Sequence, residues 1–215
     1  MELAAGSGSG SQQPDNDNDS SVAALSRVEC LNMRGDGNKG TVYVVPEDMT
    51  DVILVYFGGK KITPEFKSDD TITYKEIHTK TAVGSIYNVA CTMYFVTKLK
   101  KGTGITNLTG YPYLVRIKGS NAKGGNITKE TISGKTYFAN DTLKDVFLLQ
   151  SNMAAKPVDP VFQEAPDNPI ITFKQLAAYS HALDNVSYYG YSLYYIPELR
   201  KSSAITKHTN GILFY

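Results

Sequence analysis

Tryptophan is absent from this 215-residue chain, and cysteine and histidine are almost so, with two and three copies. Two cysteines, Cys30 and Cys91, cannot build a disulfide framework, and neither belongs to a C-x-x-C or Cys/His cluster, so both read as small buried hydrophobes. His78, His181 and His208 lie far apart, none with a second ligand at metal-site spacing, so the sequence announces no metal and no cofactor. A G-x-S-x-G elbow, a P-loop and a motif-placed Cys/His pair are also missing. Asp69 and Asp70 are adjacent, so in a strand they point to opposite faces and cannot work as an acid/base pair. No catalytic site is expected. No run approaches the roughly 20 apolar residues that span a bilayer, and the first residues lack the basic and apolar regions of a secretory signal, so neither membrane insertion nor conventional secretion is expected.

An excess of charge is missing too. With 22 basic and 21 acidic side chains the formal net charge is +1, which supplies no global pull toward nucleic acid or anionic lipid. What remains is a chain with 41% hydrophobic and 20% charged residues, long enough to bury a core without staples. Residues 1–21 stand apart. The Gly6 to Ser11 repeat passes into Asp15-Asn16-Asp17-Asn18-Asp19, which has almost nothing to bury and reads as a flexible acidic arm.

From Val22 to Tyr215 the pattern is that of one β domain. Thr41 to Val45, Asp51 to Phe57, Thr71 to His78, Ile86 to Thr97, Tyr113 to Lys118, Thr131 to Phe138 and Val186 to Ile196 are β-branched and aromatic runs bounded by Gly, Pro or Asn. Helix signals are few. Asn140-Asp141-Thr142 precede a run through Gln150 that suits a capped helix and a strand equally. Phe173, Leu176, Ala177 and Ser180 have helical spacing, so Thr172 to Leu183 is expected to be a helix. The proline-rich stretch from Pro157 to Pro169 is expected to pack over a sheet face, and Gly119 to Asn126 has the chemistry of a hairpin tip. The expected fold is all-β: an antiparallel β-sandwich or single jelly roll, with nine or ten strands and one or two short connecting helices.

Three features invite function. Gly35 to Gly40 matches G-x-G-x-x-G, but a strand follows where a dinucleotide site needs a helix, so it reads as a β-turn. Arg34-Gly35-Asp36 in that turn is the tripeptide of integrin ligands, which keeps adhesion to a host surface receptor open. From Lys98 to Lys135 the chain is basic, with Lys98, Lys100, Lys101, Arg116, Lys118, Lys123, Lys129 and Lys135 against Glu130 alone. These side chains make either a solvated face or a surface for nucleic-acid phosphate, and Tyr111, Tyr113, Tyr137 and Phe138 between them suit stacking on unpaired bases if they face outward.

Fifteen tyrosines suit large contact surfaces, and the chain closes on an aromatic, apolar segment. Tyr191, Tyr194, Tyr195, Leu213, Phe214 and Tyr215 are therefore candidate subunit-interface residues, and deleting Gly211 to Tyr215 is expected to block assembly while leaving a soluble fold. The glycine-rich arm at Gly6 to Ser11 and the strand pattern through Tyr215 together resemble the jelly-roll coat proteins of small single-stranded DNA viruses, of parvovirus and densovirus type. The resemblance implies a structural capsid protein, made in the host cytoplasm or nucleus, that assembles with itself into the symmetric shell of a virion and touches single-stranded nucleic acid. The arm here is acidic, so genome contact falls to the Lys98 to Lys135 region. A receptor- or glycan-binding β-sandwich is the other expectation.

Overall fold

The computed structural model describes residues 23–34, 42–58, 60–83, 88–119, 125–152, 158–166, 170–182 and 188–215. Among these residues one helical turn at 23–26 leads into sixteen strands, all paired antiparallel. The first eight are β1 (Val28–Asn32), β2 (Tyr43–Val44), β3 (Met49–Gly58), β4 (Glu65–Lys67), β5 (Tyr74–Val83), β6 (Asn88–Leu99), β7 (Gly104–Thr106) and β8 (Tyr111–Ile117). They form a five-stranded sheet in the order β1-β8-β3-β6-β5 and a three-stranded sheet in the order β2-β7-β4. First pairs with last, second with seventh and third with sixth, which is the pairing of an antiparallel ribbon rolled up on itself.

The second eight repeat this. They are β9 (Lys129–Thr131), β10 (Tyr137–Phe138), β11 (Leu143–Asn152), β12 (Val161–Gln163), β13 (Lys174–Ala182), β14 (Tyr188–Leu199), β15 (Ala204–Lys207) and β16 (Ile212–Phe214). Their sheets run β13-β14-β11-β16-β9 and β10-β15-β12, the same orders strand for strand. The antiparallel sandwich is thus present, and its jelly-roll connectivity occurs twice in tandem rather than once.

Duplication reaches the details. In β5 a bulge falls between Glu76 and His78, and in β13 between Gln175 and Ala177. Asp51 and Asp145, each in the central strand of its five-stranded sheet, both have φ of 53°. In the β6–β7 turn Val45 N–H donates to Thr103 O at 2.9 Å and Gly102 N–H to Val45 O at 2.8 Å; in the β14–β15 turn Ala139 donates to Ser203 and Ser202 to Ala139 at the same two distances. The sequences agree with the geometry. Thr71-Ile72-Thr73-Tyr74-Lys75-Glu76-Ile77 matches Ile170-Ile171-Thr172-Phe173-Lys174-Gln175-Leu176, and Asp51-Val52-Ile53-Leu54-Val55 matches Asp145-Val146-Phe147-Leu148-Leu149.

The two five-stranded sheets pack face to face, and the small sheets cover their outer faces. Ile53, Val55, Phe57, Met93 and Phe95 from the first half meet Phe147, Leu149, Leu193, Tyr195 and Phe214 from the second in a shared central core. Val52, Leu54, Tyr94 and Val96 point the other way, onto Val45 and Ile105 of the first small sheet, and Val146, Leu148 and Ile196 do the same onto Ile205 of the second. Central strands buried on both faces read as continuous apolar runs, which is why Val52 to Phe57 shows no alternation.

Several sequence expectations change. Thr172 to Leu183 is not a helix: residues 174–182 form β13. Its bulge puts the consecutive Leu176 and Ala177 on the same core-facing side, and that phase shift mimics helical spacing. Residues 143–152 are strand β11. Of the proline-rich stretch, residues 158–166 are described, and Phe162 of β12 packs on the second outer core; Pro157 and Pro169 fall outside the described residues. Most of Gly119 to Asn126 falls outside the described residues; the strands on either side, β8 and β9, belong to different sheets and do not pair with each other.

Candidate functional site

The basic stretch divides between the two halves. Arg116 is 8% exposed, and its guanidinium donates to Glu29 at 2.8 Å and to Glu47. Those two carboxylates hold its charge in place, and Arg116 in turn holds the Glu47 carboxyl below the usual range through their hydrogen bond. Lys118 lies 3.6 Å from the same Glu29. Neither is a free phosphate ligand. Lys123 lies outside the described residues, and Lys129 and Lys135 are exposed on the second half, beside β9 and before β10.

Lys98, Lys100 and Lys101 do come together, on the turn from β6 to β7. Gly102 carries the chain through it with φ of +88°, and Lys101 N–H is anchored on Asp48 Oδ1 at 2.8 Å. Facing the turn, the segment from β4 to β5 brings up Ser68, Asp70, Thr71 and Thr73. Between them lies an open groove of about 420 Å³ whose walls also include Thr97 and Thr103. Lys100 Nζ is 2.7 Å from Asp70 Oδ2, and both side chains are more than half exposed. Their hydrogen bond lowers the Asp70 pKa and raises that of Lys100. Lys98 and Lys101 make no ion pair among the described residues; Lys98 lines this groove, and Lys101 lines an adjoining opening beside Lys67, Asp69 and Lys100. In the second half the position of Lys98 is taken by Glu198, which pairs with Arg200 at 2.9 Å. The two other cations of the turn, Lys100 and Lys101, have Arg200 and Lys201 at the matching positions, so the halves differ here by the charge at Lys98 and Glu198.

The aromatic residues sort differently from the expectation of a subunit interface. Tyr191, Tyr195 and Phe214 are fully buried in the shared core, and Tyr194 and Leu213 in the second outer core. The first three join the two halves of the chain, and the last two join the two sheets of the second half. The Tyr195 hydroxyl donates to Asp145 at 2.6 Å and that of Tyr194 to Asp159 at 2.8 Å, and burial raises both phenol pKa values. Tyr215 is half-buried and donates to Glu130 at 2.9 Å. Because β16 is an inner strand of its sheet, deleting Gly211 to Tyr215 removes Leu213 and Phe214 from both cores and is expected to unfold the second half, not merely to block assembly.

Among the base-stacking candidates Phe138 is 64% and Tyr111 51% exposed, whereas Tyr113 and Tyr137 are half-buried. Arg34 donates from Nη1 to Gly110 O at 2.9 Å, while Gly35 to Gly40 fall outside the described residues.

Two polar features were not anticipated. His78 is 5% exposed, packs edge-on against Phe214 at 6.1 Å, and has no hydrogen-bond partner on either ring nitrogen. Desolvation, reinforced by Lys129 and Lys80 and opposed by Glu76, pushes its pKa down to about 4. Lys80 itself reaches across the core to Ser151 Oγ at 3.1 Å. Among the described residues no three His, Cys, Asp or Glu side chains are grouped to hold a metal, and no helix is long and apolar enough to cross a membrane. Comparison with protein-family models, with curated proteins and with solved structures found no match to this chain.

Proposed function

We propose that the protein is a non-catalytic structural subunit that assembles with itself, of the kind that builds a viral shell. The observation carrying this reading is the first-with-last strand pairing, present in each half. Jelly rolls with that connectivity serve as capsid and lectin domains, where rigid faces and edges matter more than a pocket. The exposed apolar residues Val44 and Phe138 add support, since they occupy matching places on the outer faces of the two small sheets, where contacts to further copies would form. Genome contact, on this reading, falls to Lys98 and Lys101 beside the groove.

Size-exclusion chromatography with light scattering, followed by negative-stain microscopy, tests the proposal. Discrete symmetric particles are expected; a monomer that persists at high concentration overturns it. In particles, replacing Lys98 and Lys101 with Gln is expected to lower the packaged nucleic acid and its salt sensitivity, and unchanged content rejects that role.

A further inference from the structure

At one end of the sandwich a row of side chains crosses each large sheet. In the first sheet the pairing registers align Tyr111, Phe57, Cys91 and Lys80, and in the second Ser151, Tyr191 and Tyr179. Where the rows face each other on one side of the molecule, rings pack on rings. Phe57 stacks on Tyr191 at 5.7 Å with the rings 14° apart and on Tyr179 at 6.3 Å and 6°, and Tyr111 tilts onto Tyr179 at 5.0 Å.

The tandem repeat places a second copy of this seam on the other side. Matching the registers, Phe57 corresponds to Ser151, Tyr179 to Lys80 and Tyr191 to Cys91. The Phe57–Tyr179 stack therefore has as its counterpart the hydrogen bond from Lys80 Nζ to Ser151 Oγ. One fold closes the same position once with rings and once with serine, lysine and cysteine. Packing alone does not demand the rings.

The aromatic seam reaches solvent. Tyr111 is 51% exposed, over a half-buried Tyr179 and a fully buried Phe57 that prevent it from folding inward. Gly110, at φ of +73°, lets β8 approach β3 so closely that a Cβ there would lie 2.5 Å from Phe57 O. That turn fixes the Tyr111 backbone, and its carbonyl receives the guanidinium of exposed Arg34. Among the described residues Arg34 spends one of its five N–H donors there and makes no ion pair.

We propose that this seam binds an acidic sugar. The apolar face of a pyranose ring lies on Tyr111, and its carboxylate takes a charge-assisted hydrogen bond from Arg34. A nucleic-acid strand fits less well, because a phosphate backbone calls for several cations and Lys80 is already committed to Ser151. The site does not depend on assembly, and a lone chain or a shell subunit would carry it equally.

Saturation-transfer NMR on the full chain, with 3′-sialyllactose and a hyaluronan tetrasaccharide as probes and lactose as the neutral control, tests the site. Transfer to the acidic ring of at least one probe is expected, with little to lactose. Tyr111→Ala and Arg34→Ala should each weaken binding about tenfold, and Tyr111→Phe should retain it. No transfer from either acidic probe, equal transfer from lactose, or binding unchanged in Tyr111→Ala overturns the proposal. So does tight binding of a dT10 oligonucleotide that Tyr111→Ala abolishes, which would assign the seam to unpaired bases.

Discussion

The two halves of this chain share a connectivity, a bulge, a pair of left-handed aspartates and a set of turn hydrogen bonds, yet they differ where they meet and at the β6–β7 and β14–β15 turns. What is common is what the roll needs: apolar residues on both faces of the central strands, and special backbone at the turns. What differs is free of that need. Lys98 against Glu198, Phe57 against Ser151 and His78 against Ala177 are the contrasts that point to function or cost stability.

Phe57 and Ser151 provide the largest test. Phe57→Ala empties a fully buried site in the ring stack and is expected to destabilise the protein by about 4 kcal/mol in urea unfolding, whereas Ser151→Ala should cost at most about 1 kcal/mol. Equal costs would break the contrast between the seams.

His78 and Ala177 occupy matching buried positions, both 5% exposed. The folded-state pKa of His78, about 4, lies below its ordinary 6.5, so the unfolded chain takes up the proton first as pH falls. Its neutral ring thus imposes no pH dependence above 6.5, and stability is lost progressively from there down to about 4, by roughly 3 kcal/mol. His78→Ala, which copies the second half, is expected to flatten urea midpoints across that window. A profile as steep as the parent's would assign the acid sensitivity to other groups.

Gly110 and Asn210 sharpen the comparison at a turn. Both have positive φ; Asn210 already carries a Cβ, whereas one added at Gly110 would meet Phe57 O at 2.5 Å. Gly110→Ala is expected to lower stability by about 1–3 kcal/mol, and Asn210→Gly, which relieves the positive φ but loses the Nδ2 bond to Ser151 O at 3.0 Å, by about 1 kcal/mol or less, as thermal unfolding would report. The smallest effect belongs to Lys80→Met, which removes only the bond to Ser151 and is expected to cost under about 1 kcal/mol.

The all-β class and most strands were legible in the sequence because β-branched and aromatic runs between turn residues have few other solutions. The duplication was not. Few matched residues are identical, and the spacing between partners changes from Asp51/Asp145 to Lys75/Lys174 to Tyr94/Tyr194, so similarity appears only in short words such as Thr71 to Ile77 against Ile170 to Leu176. The bulge at Leu176 further disguised β13 as helical spacing, whereas the one at Ile77 left β5 legible as a strand. Among site residues, Lys98 and Lys101 kept their expected exposure. Arg116 did not, because its partners Glu29 and Glu47 are distant in sequence, and the tyrosines at 191, 194 and 195 were read as an outer surface because nothing in composition distinguishes an interface between chains from one within a chain.

The shared core also has a consequence in time. A ribosome completes β1 to β8 before any strand that covers Val55, Phe57, Met93 and Phe95 exists. At about 5–20 residues per second, that apolar face waits on the order of 5–20 s for β11 and β14 to emerge. During synthesis the first half is therefore the vulnerable one, open to chaperones and to the matching face of another nascent chain, until the second half docks and closes it.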